Sequence, residues 1–257
     1  MSIDFELNDN IATITINRPE RRNALDADHY TMLSRAWQQV RDDPEVRVAI
    51  VTGVGDKSFC AGADIKSFVG RDRALSDIWL TQKDNLLNRG LEVWKPVISA
   101  VNGACVGGGM TLLLGTDLRV VCEDAFFSLA EVRRGIIAAN GGTQRIMKQM
   151  PYAIAMELLL LGDRIDAQTA ARWGLVNRVV PRDKLMETAI EMAQRIKENA
   201  PLAVQAAKEL AVRGQDMSIA DGLRMEQLVN AILHQSEDTK TAKQAFAEKR
   251  KPDFKGN

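Results

Sequence analysis

Residues 97–115 read VISAVNGACVGGGMTLLLG. The run Val97–Val101 is short, apolar and partly β-branched, which predicts a buried strand. Asn102-Gly103 ends it, and Gly107-Gly108-Gly109 then open an uncharged segment, 110–114, that predicts a buried helix. Small residues at a strand-to-helix junction let a ligand approach the backbone closely. The helix start also leaves amide donors unpaired at the positive end of its dipole, which suits a phosphate or an oxyanion.

Working outward, Leu118–Cys122 reads as the next strand and residues 175–180 as a later one. Upstream, residues 46–52 are a further apolar run that feeds Gly53 and Gly55. The chain opens with two short strands, 3–7 and 11–16, around the turn Asn8-Asp9-Asn10. Asp26 is placed to cap a helix whose apolar face is Met32, Leu33, Ala36, Trp37 and Val40. Strands that alternate with helices give an α/β fold of parallel strands joined by helical crossovers. Past residue 183 the strand signals stop. Leu185, Ala189, Met192, Ala193 and Ile196 mark one amphipathic helix, and further helices follow Pro201, Ser218 and Asp238. The expected organisation is a core over 1–200 and a helical region over 201–257 that caps the core or assembles subunits.

Composition narrows the function. The 257 residues carry 34 basic and 34 acidic side chains, so no positive excess invites nucleic acid. Two histidines leave little material for a metal site, and none is expected. Three cysteines, Cys60, Cys105 and Cys122, are too few for a disulfide scaffold and fit a reducing compartment. The acidic start of the chain does not read as a secretory signal. Residues 96–116 are uncharged but too rich in glycine for a strong membrane span. The expectation is a cytoplasmic protein that binds neither membrane nor nucleic acid.

Two further glycine segments flank the first, Cys60-Ala61-Gly62-Ala63-Asp64 and Gly135-Ile136-Ile137-Ala138-Ala139-Asn140-Gly141-Gly142-Thr143. None matches G-x-x-x-x-G-K-[ST] or places a G-x-G-x-x-G after a first strand. Bare amides from two such segments, aimed at one point, would make an oxyanion hole.

Five ordered features carry a resemblance over essentially the whole chain. They are Asn17-Arg18-Pro19 with Asn23-Ala24-Leu25, then AGADIK at 61–66, then NGACVGGG at 102–109. Glu131 follows, ahead of GIIAANGGTQR at 135–145, and Phe246-Ala247-Glu248-Lys249-Arg250 ends the series. This set resembles the crotonase superfamily, the enoyl-CoA hydratase/isomerase family. The resemblance implies a spiral of ββα turns with a helical C-terminal oligomerisation region that forms homotrimers, often paired into hexamers. It implies an acyl-CoA enzyme that holds the thioester oxygen on the amides of Ala63 and Gly108 and stabilises an enolate. Coenzyme A then arrives as part of the substrate, with no permanently bound cofactor. Ala61, Asp64, Ile65, Lys66 and Arg22 fall at substrate- and CoA-binding positions. Phe246 and Lys249 are implied to touch the nucleotide, from this subunit or a neighbour; as a charge run, the same tail also reads as a solvated helix face.

Hydratases of the family usually carry two glutamates. Glu131 matches the second, and the first position is Thr111. Hydration divides naturally between a base for water and an acid for carbon, whereas moving a double bond needs one group only. Hydration, isomerisation of a 3-enoyl to a 2-enoyl ester and retro-aldol cleavage therefore stay open, with enoyl-CoA hydratase, a lyase, preferred on the GGTQR segment. A non-catalytic acyl-CoA-binding or RNA-binding relative is the remaining alternative. Thr111 and Asn140 are auxiliary candidates that could hold water, although Asn140 beside Gly141-Gly142 also reads as a turn residue. Ile65, Phe68, Trp79, Leu87 and Trp94 are candidate walls of the acyl pocket or plain core. Cys60 and Cys105 adjoin the glycine loops and read as small buried residues rather than nucleophiles.

Overall fold

In the computed structural model, which describes residues 2–68 and 86–257, the N-terminal hairpin pairs β1 (Ser2–Asn8) with β2 (Ile11–Asn17) antiparallel. Asp26 caps α1 (Ala27–Asp42) by accepting from the amides of Asp28 and His29, as its sequence position predicts. Leu33, Ala36, Trp37 and Val40 of α1 are buried, while Met32 is only half-buried.

Three successive turns follow, each giving one long and one short strand. They are β3 (Val48–Gly53) with β4 (Ser58–Cys60), β5 (Val97–Val101) with β6 (Ala104–Val106), and β7 (Leu118–Cys122) with β8 (Phe126–Ser128). The short helix α2 (Ile65–Phe68) follows the first pair and α3 (Gly108–Leu114) the second; a 3-10 turn (Ala130–Arg134) follows the third. Beyond them lie α4 (Gly142–Gln149), α5 (Tyr152–Leu161), β9 (Ile165–Asp166), α6 (Ala167–Arg172) and β10 (Arg178–Val180). The long strands stack as a six-stranded sheet, β1-β2-β3-β5-β7-β10, and the short ones as a second sheet, β4-β6-β8-β9. Within each sheet the strands of successive turns run parallel. This is the spiral of ββα turns, each turn adding one strand to each sheet.

The central long strands β3, β5 and β7 are mostly apolar because both faces are covered. Ala49, Val51, Val97, Val101 and Val121 face one core, with Trp37 and Leu33 of α1. Their neighbours Val48, Ile50, Ile98, Ala100 and Val120 face a second core, closed by Leu185, Ala189 and Ala193 of α7 (Leu185–Lys197).

One strand is shorter than the sequence suggests. Residues 175–180 yield strand only at Arg178–Val180, because the Leu175 amide still donates to Ala170 O at 2.9 Å and completes the helix end. The C-terminal helices are α8 (Pro201–Gly214), α9 (Ile219–Leu233) and α10 (Glu237–Ala247). Neither α8 nor α9 buries a residue, and α9 leaves Ile219, Leu223, Leu228 and Ile232 exposed. The end of the chain is fastened back. Asp238 is buried and accepts from the amides of Lys255 and Gly256, and Arg47 donates to Phe254 O at 2.6 Å. No helix among the described residues is long and apolar enough to cross a membrane.

Candidate active site

Three turns of the spiral bring their ends to one cavity of about 150 Å³. The first contributes Ala61, Gly62, Ala63 and Ile65, the second Gly107, Gly108 and Thr111, and the third Glu131, Arg134, Ile136, Ile137 and Asn140.

Ala63 owes its free amide to the first motif. Leu25 forms an isolated parallel bridge with it, in which Leu25 N–H donates to Gly62 O and Asp64 N–H donates to Leu25 O, each at 2.8 Å. Those bonds occupy the groups on either side of Ala63, and its own N–H has no protein acceptor among the described residues. Arg18 locks the arrangement through ion pairs to Asp64 at 3.0 Å and Asp26 at 3.3 Å. Buried Asn23 accepts from Arg18 N–H and donates to Val54 O and Ser58 O. The Asn-Arg-Pro and Asn-Ala-Leu features are thus scaffolding for the loop that carries Ala63.

The second donor is Gly108, the first residue of α3, where an amide has no intrahelical acceptor. The two loops approach so closely that a Cβ on Gly62 would stand 2.8 Å from Gly108 N, and one on Gly108 would stand 3.3 Å from Ala63 N. Gly62 also has φ +90°, which side chains rarely adopt. Gly107 has φ +56° and ψ −116°, and its Cβ position lies 3.4 Å from Glu131 Oε1. A side chain at 107 would crowd the carboxylate.

Glu131 stands in the 3-10 turn after β8, half-buried, and its Oε2 is buried with no hydrogen-bond partner. Burial pushes its carboxyl above the ordinary glutamate value, against the opposing pull of its own backbone contact and the Arg134 guanidinium. A carboxylate held ready to take up a proton, beside two unaccepted amides, can stabilise an oxyanion and move a proton at the neighbouring carbon.

Thr111 is committed differently from a carboxylate. Its hydroxyl donates to Gly108 O at 3.0 Å and accepts from Asn88 Nδ2 at 3.0 Å. The one hydroxyl hydrogen is spent, so Thr111 can accept from a water but cannot donate to it. Arg145, of the GGTQR segment, donates to Asn88 O at 2.8 Å and so anchors this link. Asn140 has φ +52° and also lines the cavity, so it is both the turn residue and a wall.

The remaining candidates divide. Ile65 lines the cavity. Asp64 turns its carboxylate to Arg18, away from a ligand role. Arg22 is exposed, its carbonyl accepts from Ala61 N–H, and Lys66 is exposed on α2. Phe246, 89% exposed, and Lys249 do not line the Glu131 cavity. Leu87 is core, and Trp94 lies under the Arg213 guanidinium at 4.9 Å; neither lines this cavity. Trp79 and the side chain of Phe68 lie outside the described residues. Cys60 and Cys105 are fully buried, and desolvation pushes the Cys60 thiol to about 12, which leaves it inert as a nucleophile. Sequence reasoning missed Asn88 and Tyr30. A Cβ on Gly108 would meet the Tyr30 hydroxyl at 3.0 Å, and Tyr30 lines the cavity from α1. The signal available was a tyrosine one turn ahead of the apolar face of α1.

Two larger clefts, of about 570 and 320 Å³, lie under α8. Lys208 and Asp117, which line both, already pair with each other at 2.7 Å.

Comparison with known proteins agrees with this geometry. A family model described as Enoyl-CoA hydratase/isomerase matches residues 6–257. The chain is 40% identical over 256 residues to (E)-benzylidenesuccinyl-CoA hydratase of Thauera aromatica, covering 100% of both chains. It is 41% identical over 260 residues to carnitinyl-CoA dehydratase of Salmonella typhi, covering 99% of this chain and 98% of the relative. Among solved structures, enoyl-CoA hydratase from Bacillus anthracis superposes with a TM-score of 0.93 at 35% identity, over 100% of both chains. Enoyl-CoA hydratase from Mycobacterium tuberculosis H37Rv gives 0.92 at 36% identity, over 100% of this chain and 99% of that one. With a parallel spiral, an unpartnered glutamate and whole-length similarity in hand, the chain belongs to the enoyl-CoA hydratase/isomerase family of the crotonase superfamily.

Proposed function

We propose that the protein is an enoyl-CoA hydratase that adds water to a 2-enoyl-CoA thioester, or removes it in reverse, with Glu131 as its single acid–base group. One observation carries the reading: the unaccepted amides of Ala63 and Gly108 share a cavity with Glu131, whose buried Oε2 has no hydrogen-bond partner. The thioester oxygen accepts from both amides, which favours the enolate over the ground-state carbonyl. Glu131 takes a proton from water as the water oxygen bonds to C3, and the C2=C3 electron pair moves into the enolate. The enolate then takes that proton back from Glu131 at C2, so the carboxylate is regenerated and one water has been added. A raised pKa suits the first step, because a desolvated carboxylate prefers its neutral form and so takes the proton from water more readily.

The relatives of about 40% identity that are named a hydratase and a dehydratase support hydration over isomerisation. Thr111 supports the second reading, a 3-enoyl to 2-enoyl isomerase, because its committed hydroxyl offers no second acid. The reading also includes CoA phosphates met by Arg22 and Lys66, and a cytoplasmic homotrimer or dimer of trimers in which Phe246 and Lys249 of a neighbouring copy cover the nucleotide. The exposed apolar residues of α9 and the exposure of Phe246 support that assembly.

The deciding experiment supplies a 2-enoyl-CoA and, separately, a 3-enoyl-CoA in heavy-oxygen water and reads product masses. Gain of one labelled water from the 2-enoyl ester is expected. Conversion of the 3-enoyl ester alone, without label, would replace hydratase by isomerase.

A further inference from the structure

The Glu131 cavity shares Val106, Ala130 and Arg134 with a second hollow of about 290 Å³. Arg133 and Arg164 also line that hollow, and among the described residues no acidic side chain does. Two of the three guanidiniums are occupied. Arg133 pairs with Asp163 and donates to Leu161 O at 2.8 Å, and Arg164 lies 4.4 Å over the Phe126 ring. Arg134 has neither a carboxylate nor a carbonyl acceptor among the described residues. Its charge is felt at Glu131, in the same 3-10 turn, but its guanidinium makes no ion pair among the described residues and stands at the junction of the two spaces.

Position decides which end of a substrate it meets. On the proposed reading, the thioester oxygen sits at Ala63 and Gly108, and Arg22 and Lys66 flank the AGAD loop on the CoA side. On the same reading Arg134, in the turn that carries Glu131, is assigned to the side where the acyl chain continues past its reacting carbons. Ile136 and Ile137, 59% and 67% exposed, line the same cavity and supply apolar walls for a carbon stem. A guanidinium binds a carboxylate with two parallel, charge-assisted hydrogen bonds, and the neighbouring arginines add to the positive field.

We propose that Arg134 and the arginine-lined hollow beside the active site form a subsite for a second carboxylate on the acyl group, so that the preferred substrates are CoA monothioesters of dicarboxylic acids. This inference rests on the acyl-CoA reading above. Its test does not rest on turnover. Equilibrium binding is measured for saturated esters, which have no double bond to react: succinyl-, glutaryl- and adipyl-CoA against butyryl-, pentanoyl- and hexanoyl-CoA, with free CoA as reference. The best dicarboxylic ester is expected to bind about tenfold more tightly than its monocarboxylic counterpart, with the preference shrinking as salt rises. Arg134→Met should erase that preference, and Arg134→Lys should keep part of it, with free CoA bound equally by all three proteins. Absence of a preference in the unaltered protein would overturn the proposal whatever the variants do. Equal weakening of CoA and of both ester series in Arg134→Met would also overturn it, by placing the guanidinium at the CoA phosphates. Failure of every enoyl ester to turn over, with the preference intact, would sink the hydratase reading and leave the subsite standing.

Discussion

Asn88 Nδ2 donates to Thr111 Oγ1 at 3.0 Å, and Thr111 passes its own hydroxyl hydrogen to the carbonyl of Gly108. The residue in the place of a second carboxylate therefore fixes the backbone of Gly108, the second proposed oxyanion donor. Thr111→Val keeps the shape but strands the buried Asn88 amide and removes the hydroxyl's bond to Gly108 O. It should cost about 1–3 kcal/mol of stability and lower kcat more than it raises KM. Thr111→Ser, which keeps the hydroxyl, should retain activity; a Val variant with unchanged kcat would dismiss the link.

Glu131→Gln removes the only carboxylate that lines the cavity among the described residues, at little change in volume. Turnover should fall by about a hundred- to ten-thousand-fold, while binding of a saturated acyl-CoA persists. Calorimetric titration beside steady-state kinetics checks both halves.

The same substitution has a pH signature in stability. Burial holds the Glu131 pKa above the ordinary 4.5, so between those two values the folded chain keeps a proton that the unfolded chain has released. Stability conferred by the neutral form is complete below pH 4.5 and is lost as pH rises through the folded value. Glu131→Gln should therefore melt above the unaltered protein at pH 7 to 8, and the gap should close on acidification. Thermal melts across pH, with the gap constant throughout, would contradict it.

Gly108→Val places new atoms 3.0 Å from the Tyr30 hydroxyl and 3.3 Å from the Ala63 amide. The thioester oxygen then loses access to both donors, and kcat should drop by about a hundred- to a thousand-fold. Single-turnover kinetics on an enoyl-CoA reads this, and full activity would move the oxyanion site elsewhere.

Truncation after Met217 removes α9, α10 and the clasp around Asp238. If the proposed trimer assembles through α9, sedimentation should show it dissociating on truncation and activity falling with it. An intact oligomer from the truncated chain would exclude α9 as its assembly surface.

Legibility followed burial on both faces. β3, β5 and β7 were readable because they are apolar on both sides of the sheet, and a run of that kind needs no partner to be recognised. The short strands β4, β6 and β8 were not individually legible, since three residues carry no period; only the family resemblance implied them. At the site, Ala63, Gly108 and Glu131 fell to motif reading, and the structure places them around one cavity. Asp64 shared the same motif, yet its carboxylate serves Arg18, a partner more than forty positions earlier that spacing does not reveal. Asn88 was invisible because its meaning arises only when its loop folds against α3.

The two amides and the carboxylate belong to three consecutive turns of the spiral, and none of the three meets another within its own turn. The reaction centre is a property of how the coils are stacked. A chain whose turns form correctly but sit one step out of register would keep most of its secondary structure while the three groups dispersed. Catalysis is thus a stricter gauge of long-range registry in this protein than any spectroscopic measure of helix or strand content.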